Sequence, residues 1–268
     1  MDITMLGTGH AVVTECYNTC YIIRDGEQRL MVDTGGGIGL LRQLKRVGLS
    51  VRDIRDVFVT HCHLDHLTGM LWLLRMWAPM MLRGALSGEV RIYGHDETCA
   101  TIAQLAKLLL NPSEAALVGP EGPIRLVRLQ DGEPILVCGH TLTPFDIRST
   151  KKKQYGFRLA LDEGRTLVCC GDEPLDHDLW PLAQGADWLL HEAFCLRADE
   201  ERYHPARIHH STVADACETA EACGVRSLLL YHSEDSDMAT RKARYLQEGS
   251  RFFHGTLYAP VDLETIEL

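Results

Sequence analysis

A chain of 268 residues with 46% hydrophobic content can bury one large α/β core, and no linker, low-complexity tract or internal repeat marks a boundary inside it, so a single domain over 1–268 is expected. The formal charge of −10 excludes broad electrostatic attraction to nucleic acid or to an anionic membrane and leaves only local contacts. The apolar stretch 70–81 is broken by Arg75 and Pro79 and falls short of the roughly 20 residues that a bilayer span requires.

The first residues read as a strand over 3–6 rather than a basic segment leading into an apolar run, so secretion is not expected. Ten cysteines form no Cys-x-x-Cys pair and fit reduced, mostly buried thiols of a cytoplasmic protein. Short strands follow over 20–24, 30–32 and 53–60. A helix over 39–47 interrupts them, with apolar residues at 40, 41, 44 and 47 and a stop at Gly48.

Helical composition returns over 67–77 up to Pro79, with Trp72 and Trp77 expected as core anchors. A strand over 90–93 and a helix over 96–110 come next, the helix running from Asp96 as N-cap to Asn111-Pro112. From 124 to 157 the pattern is β, turning at Asp131-Gly132 and Cys138-Gly139, and strands follow at 157–161 and 166–170. The last third alternates a strand at 188–191, a helix at 212–223 stopped by Gly224, a strand at 227–231 and a helix at 238–247. Two β-rich halves, each with helices, predict a four-layer αββα sandwich of two mixed β-sheets flanked by helices, with strand-end polar residues converging along one edge.

The chemistry concentrates in Thr60-His61-Cys62-His63-Leu64-Asp65-His66, where three imidazoles and one carboxylate fall within six positions directly after an apolar strand. Residues two apart in an extended segment project to one side, so His61 and His63 can meet one metal ion while Asp65 and His66 turn to an adjacent position. Imidazole and carboxylate donors suit zinc, one ion or two, and also manganese or iron.

This His-x-His-x-Asp-His pattern resembles the signature of the metallo-β-lactamase superfamily, and other segments are similar in the same order. Asp33-Thr34-Gly35-Gly36-Gly37 resembles the Asp-x-Gly segment whose carboxylate lies beneath the ligands and orients them. Asp172, after Gly171, resembles the aspartate that bridges two metals, and His232 resembles the last histidine ligand. Within the superfamily the chain is most similar to ribonuclease Z. That likeness rests on Leu6-Gly7-Thr8-Gly9, His191-Glu192-Ala193-Phe194, His210-Ser211-Thr212 and the segment ending Leu230-Tyr231-His232-Ser233.

The resemblance implies a phosphodiesterase with His61, His63, Asp65, His66, Asp172 and His232 as metal ligands. A metal-bound hydroxide attacks phosphorus, Asp65 orients or deprotonates the water, and His210, held by Glu192, protonates the leaving oxygen. It also implies a homodimer.

Two departures qualify it. Counting back from Tyr155-Gly156-Phe157-Arg158 puts Ser149 or Thr150 where ribonuclease Z has a further histidine ligand, and His140 lies too far upstream. One ion would then have only His61, His63 and Asp172 from the protein. The long arm that grips transfer RNA is also missing, since 22 residues separate Ser149 from Asp172, so a whole transfer RNA is a doubtful partner. Lys151-Lys152-Lys153 reads either as a contact for substrate phosphate or as a solvated turn. The substrate is then a small phosphate ester or short RNA. Hydrolysis of a carboxylic ester, thioester or lactone uses the same hydroxide, and a non-hydrolytic metal-binding or redox protein is the alternative from another class.

Overall fold

Parallel strands buried on both faces carry nearly continuous apolar runs, and such runs form the centre of each of two mixed sheets. The structure, a computed structural model, describes residues Met1–Leu268 and divides into two compact units. The first comprises Met1–Gly7, Thr19–Gln130 and Leu263–Leu268, and the second Thr8–Asn18 and Asp131–Asp262.

The first unit holds an eight-stranded sheet. In spatial order its strands are Thr265–Glu267, Asp2–Gly7, Cys20–Asp25, Gln28–Val32, Asp56–Phe58, Val90–Gly94, Ile124–Arg128 and Val118–Gly119. From Gln28–Val32 onward the neighbours are parallel, so two neighbouring strands end together at Val32 and Phe58. Helix Gly39–Arg46 buries Leu40, Gln43 and Leu44, and the Gln43 amide donates to the Leu6 carbonyl at 2.6 Å.

The second unit holds a seven-stranded sheet in the order Thr256–Tyr258, Ser227–Tyr231, Trp188–Glu192, Thr166–Cys169, Tyr155–Ala160, His140–Asp146 and Ile135–Val137. Its first four strands run parallel, which brings the ends at Cys169, Glu192 and Tyr231 side by side. Helix Val213–Ala222 is capped reciprocally by Thr212 and Asp215 and lays Val213, Ala216, Cys217 and Ala220 against Leu189, Leu228 and Leu230. Each of those fully buried leucines contributes roughly 1.5–3 kcal/mol by leaving water.

Several boundaries differ from the sequence expectation. The strand expected over 53–60 is only Asp56–Phe58, because Ser50 caps a single 3-10 turn over Val51–Asp53. The helix expected from 67 to Pro79 is Leu64–Leu82: it starts inside the histidine motif, where the Asp65 carboxylate favours the first turn, and Pro79 in the last turn forfeits only one backbone bond. Asp96 is the first helical residue, and the N-cap is His95. The last helix is Arg241–Gly249 rather than 238–247, because Asp237 closes a turn onto Thr240 first. Trp77 is fully buried and donates to the Val51 carbonyl at 2.7 Å, as a core anchor should, but Trp72 lies 39% exposed. No disulfide links any of the ten cysteines, seven of which are buried, and no helix is long and apolar enough to cross a membrane.

Gly69 shows how closely the motif helix approaches the strand end. A Cβ there would lie 2.0 Å from the Thr34 carbonyl oxygen, and the Gly69 amide donates to the Gly35 carbonyl at 2.9 Å. Gly69→Ala is expected to destabilise the protein by about 1–3 kcal/mol in chemical denaturation, since neither backbone can yield without losing hydrogen bonds.

Candidate metal centre

In the first unit the loops leaving Gln28–Val32 and Asp56–Phe58 meet at the Asp33 carboxylate. Asp33 has a left-handed backbone, φ 55°, tolerable for a short polar side chain. Its oxygens accept from the Thr60 amide at 2.8 Å, the Thr60 hydroxyl at 2.8 Å and His66 Nδ1 at 2.6 Å. The single hydroxyl proton of Thr60 is thus spent on Asp33, so Thr60 Oγ1 accepts from His61 Nδ1, 2.9 Å away. Nδ1 of both His61 and His66 thereby carries a proton, which makes Nε2 the ligating nitrogen.

Those Nε2 atoms face further polar atoms. His61 Nε2 lies 2.7 Å from His63 Nδ1, and His66 Nε2 lies 3.1 Å from Asp65 Oδ2. Burial lowers the pKa of His66, but the Asp65 and Asp33 carboxylates outweigh it and hold the pKa well above the imidazole range. This pocket therefore favours a positive charge. Two ring nitrogens turned toward one another, His61 Nε2 and His63 Nδ1, also suit a cation of the zinc, manganese or iron type.

In the second unit the adjacent strand ends carry Asp172, Glu192 and His232, the last with φ 59°. His232 Nε2 faces Asp172 Oδ2 at 3.8 Å. Glu192, fully buried, accepts from the Ser211 amide at 2.5 Å and from the Ser211 hydroxyl, and its other oxygen lies 3.5 Å from His210 Nδ1. His210 and Glu192 are thus brought within ion-pair distance. One nitrogen or oxygen from each of Glu192, His210 and His232 falls within 4.8 Å of the others. Burial lowers the His210 pKa, but the Glu192 contact and charge outweigh it, with Asp172 adding and Lys151 opposing, so the pKa is raised.

Phe194, the last residue of the His191-Glu192-Ala193-Phe194 segment, stacks on His210 with ring centroids 5.5 Å apart and planes 13° apart. His10 meets Phe194 edge-on at 4.7 Å and lies 6.3 Å from His232. Composition gave no sign of His10. Gln154 was equally hidden: it is fully buried and bonds Asp172 at 2.6 Å.

The segment expected to carry a further ligand turns elsewhere. The Ser149 hydroxyl donates to Glu173 at 2.6 Å, and Thr150 is exposed. His140 binds the Ala160 carbonyl at 3.1 Å, at the opposite end of its strand from Asp146. Lys151 is exposed, and its ammonium lies 3.4 Å from Glu173 and donates to the Ile208 carbonyl at 3.3 Å.

With this geometry in hand, residues 28–233 match the family model described as the β-lactamase superfamily domain, and the chain belongs to that superfamily. Ribonuclease Z of Pseudomonas putida is 31% identical over 277 residues, covering 87% of this chain and 84% of its own. Two solved structures share the fold at low identity. The metallo-β-lactamase fold protein YhfI of Bacillus subtilis aligns with a TM-score of 0.78, 20% identity and 100% and 99% coverage of the two chains. The human short-form tRNase Z aligns with a TM-score of 0.74, 22% identity and the same coverage. The fold is therefore that of the metallo-β-lactamases, two mixed sheets flanked by helices, and its histidine and aspartate clusters fit metal binding.

The raised His210 pKa has a thermodynamic consequence in the metal-free protein. A histidine whose pKa rises on folding adds stability that is complete below its unfolded value and fades as pH climbs through the folded value. The stability difference between wild type and His210→Gln, from denaturant titrations, is expected to be greatest in acid and to shrink toward alkaline pH.

Proposed function

We propose that His61, His63, Asp65, His66, Asp172 and His232 are the metal ligands of this metal-dependent hydrolase of phosphodiester bonds, with zinc, one ion or two, as the bound metal. The observation that carries the reading is the Asp33–Thr60–His61 and Asp33–His66 hydrogen bonding, which sets two imidazoles in the ligating tautomer. A bound cation supplies an activated water and offsets charge growing on the phosphoryl oxygens. Asp65, in the first turn of its helix, would orient such a water and could take its proton.

His210 serves as the acid. Its Nδ1 faces Glu192, so Nε2 is the nitrogen that hands a proton to the leaving oxygen, and the raised pKa favours the charged form. Phe194 confines the ring to one plane by stacking. Ser149 and Thr150 are not ligands in this reading.

For the substrate we favour a short RNA or nucleotide-like phosphodiester, in keeping with the ribonuclease Z relatives. A whole transfer RNA is disfavoured because the residues between Ser149 and Asp172 are taken up by a loop and the antiparallel pair Tyr155–Ala160 and Thr166–Cys169. Lys151 is engaged by Glu173, and the chain carries a charge of −10. The expectation of one domain belongs to the same reading, since each unit is assembled from more than one stretch of chain. Ten thiols that form no disulfide support a cytoplasmic location. A homodimer is supported by Leu64, Trp72 and Met76, exposed at four- and eight-residue spacing along helix Leu64–Leu82.

The test is metal content per chain on protein purified without chelators, with turnover of bis(p-nitrophenyl) phosphate and of a short RNA by wild type, Asp172→Ala and His210→Ala. Bound metal is expected, with turnover abolished by Asp172→Ala and kcat lowered about 10²–10⁴-fold by His210→Ala. Metal-replete wild type that cleaves neither substrate would refute the proposal.

A further inference from the structure

Resting on the assignment of Asp172 as a ligand, we infer that Gln154 is a positioning residue that fixes the Asp172 carboxylate in the orientation a metal ion requires. Gln154 immediately precedes strand Tyr155–Ala160, and its own carbonyl accepts from the Ile147 amide at 3.1 Å. Its side chain is fully buried and meets Asp172 twice. Nε2 donates to Asp172 Oδ1 at 2.6 Å, and Oε1 accepts from the Asp172 amide at 3.1 Å.

The orientation of this amide is not a matter of choice. The Asp172 backbone N–H can only donate, so the atom facing it must be Oε1, and Nε2 is thereby directed at the carboxylate. Gly171 completes the device. Its backbone is left-handed, φ +79°, and a Cβ there would lie 2.4 Å from Gln154 Oε1, so the chain can pass over Gln154 only as glycine.

With Oδ1 held, the carboxylate cannot rotate freely about its terminal bond, and Oδ2 is the oxygen kept toward His232 Nε2, 3.8 Å away. A carboxylate ordered before metal arrives spares the ion the cost of ordering it. This matters here because the neighbouring segment supplies no imidazole: Ser149 donates to Glu173, and Thr150 is exposed. Gln154 thus acts on the metal only through Asp172.

Equilibrium competition for zinc against a chromophoric chelator reads this directly, independent of catalysis. Wild type, Asp172→Ala, Gln154→Met and Gln154→Ser are compared, with the thermal unfolding of each metal-free protein measured alongside. Methionine keeps the volume and loses both hydrogen bonds, whereas serine leaves room for a water to satisfy the Asp172 amide and keeps the inference testable if the methionine variant does not fold. Zinc affinity is expected to fall about 10–100-fold in the Gln154 variants, beyond anything the change in metal-free stability accounts for. If Asp172→Ala loses zinc while the folded Gln154 variants stay within about twofold of wild type, the role of Gln154 is overturned and the ligand assignment stands. If Asp172→Ala binds zinc as wild type does, the ligand assignment falls and the inference falls with it.

Discussion

Three hydrogen bonds converging on one buried carboxylate, that of Asp33, hold the chemistry of the first unit in place. A carboxylate 3% exposed is costly to bury unless its lone pairs are satisfied, and here the Thr60 amide, the Thr60 hydroxyl and His66 Nδ1 satisfy them. The same bonds join the ends of two parallel neighbours, Gln28–Val32 and Asp56–Phe58, to the start of helix Leu64–Leu82. Thr34 extends the clasp. Its amide and its hydroxyl both donate to the His66 carbonyl, at 2.8 and 2.7 Å, while its oxygen accepts from the Met70 amide at 2.9 Å. Packing and tautomer choice are therefore one problem, and Gly69 is its steric solution.

The second unit reaches a similar result by topology. Three adjacent parallel strands end in step, and the residues just beyond them or at their ends, Asp172, Glu192 and His232, fall side by side. Two of them are then gripped from behind or alongside: Asp172 by Gln154 and Glu192 by Ser211. His191 braces the loop after Asp172, accepting from the Leu175 amide at Nε2, 3.1 Å, while Nδ1 donates to the Glu192 carbonyl at 2.7 Å. His210 is placed by a longer excursion that returns at Ser211, whose carbonyl accepts from the Phe194 amide at 2.9 Å. A histidine delivered by a loop and restrained by stacking on Phe194 suits proton transfer, which needs approach and withdrawal more than rigid coordination.

Much of this was legible in the sequence because it rests on local pattern. The density of His61, His63, Asp65 and His66 after an apolar strand, and the polar residues following apolar runs at Asp172 and His232, are one-dimensional signals. The central strands and the helix stopped by Gly224 were readable for the same reason. What could not be read depends on partners distant in sequence. Gln154 has no signature because its meaning lies 18 residues away in Asp172, and the three-residue strands Thr256–Tyr258 and Thr265–Glu267 are too short to show a period. The lysine run could be read two ways because a charge alone does not name its partners, which for Lys151 are Glu173 and the Ile208 carbonyl. Trp72 carries an apolar side chain on the exposed face of its helix, a placement that composition does not predict.

The central claim, that Asp33 prepares the histidines for metal by fixing their tautomers, is tested most directly by zinc affinity in Asp33→Asn. Asparagine tolerates the left-handed backbone and can still accept from the Thr60 amide, but its NH₂ would face His66 Nδ1 and drive the proton to Nε2. Zinc binding weakened about 10–100-fold in a variant whose metal-free fold is intact is the predicted result. Binding equal to that of wild type would contradict the account, because the imidazoles would then be finding their ligating form without Asp33.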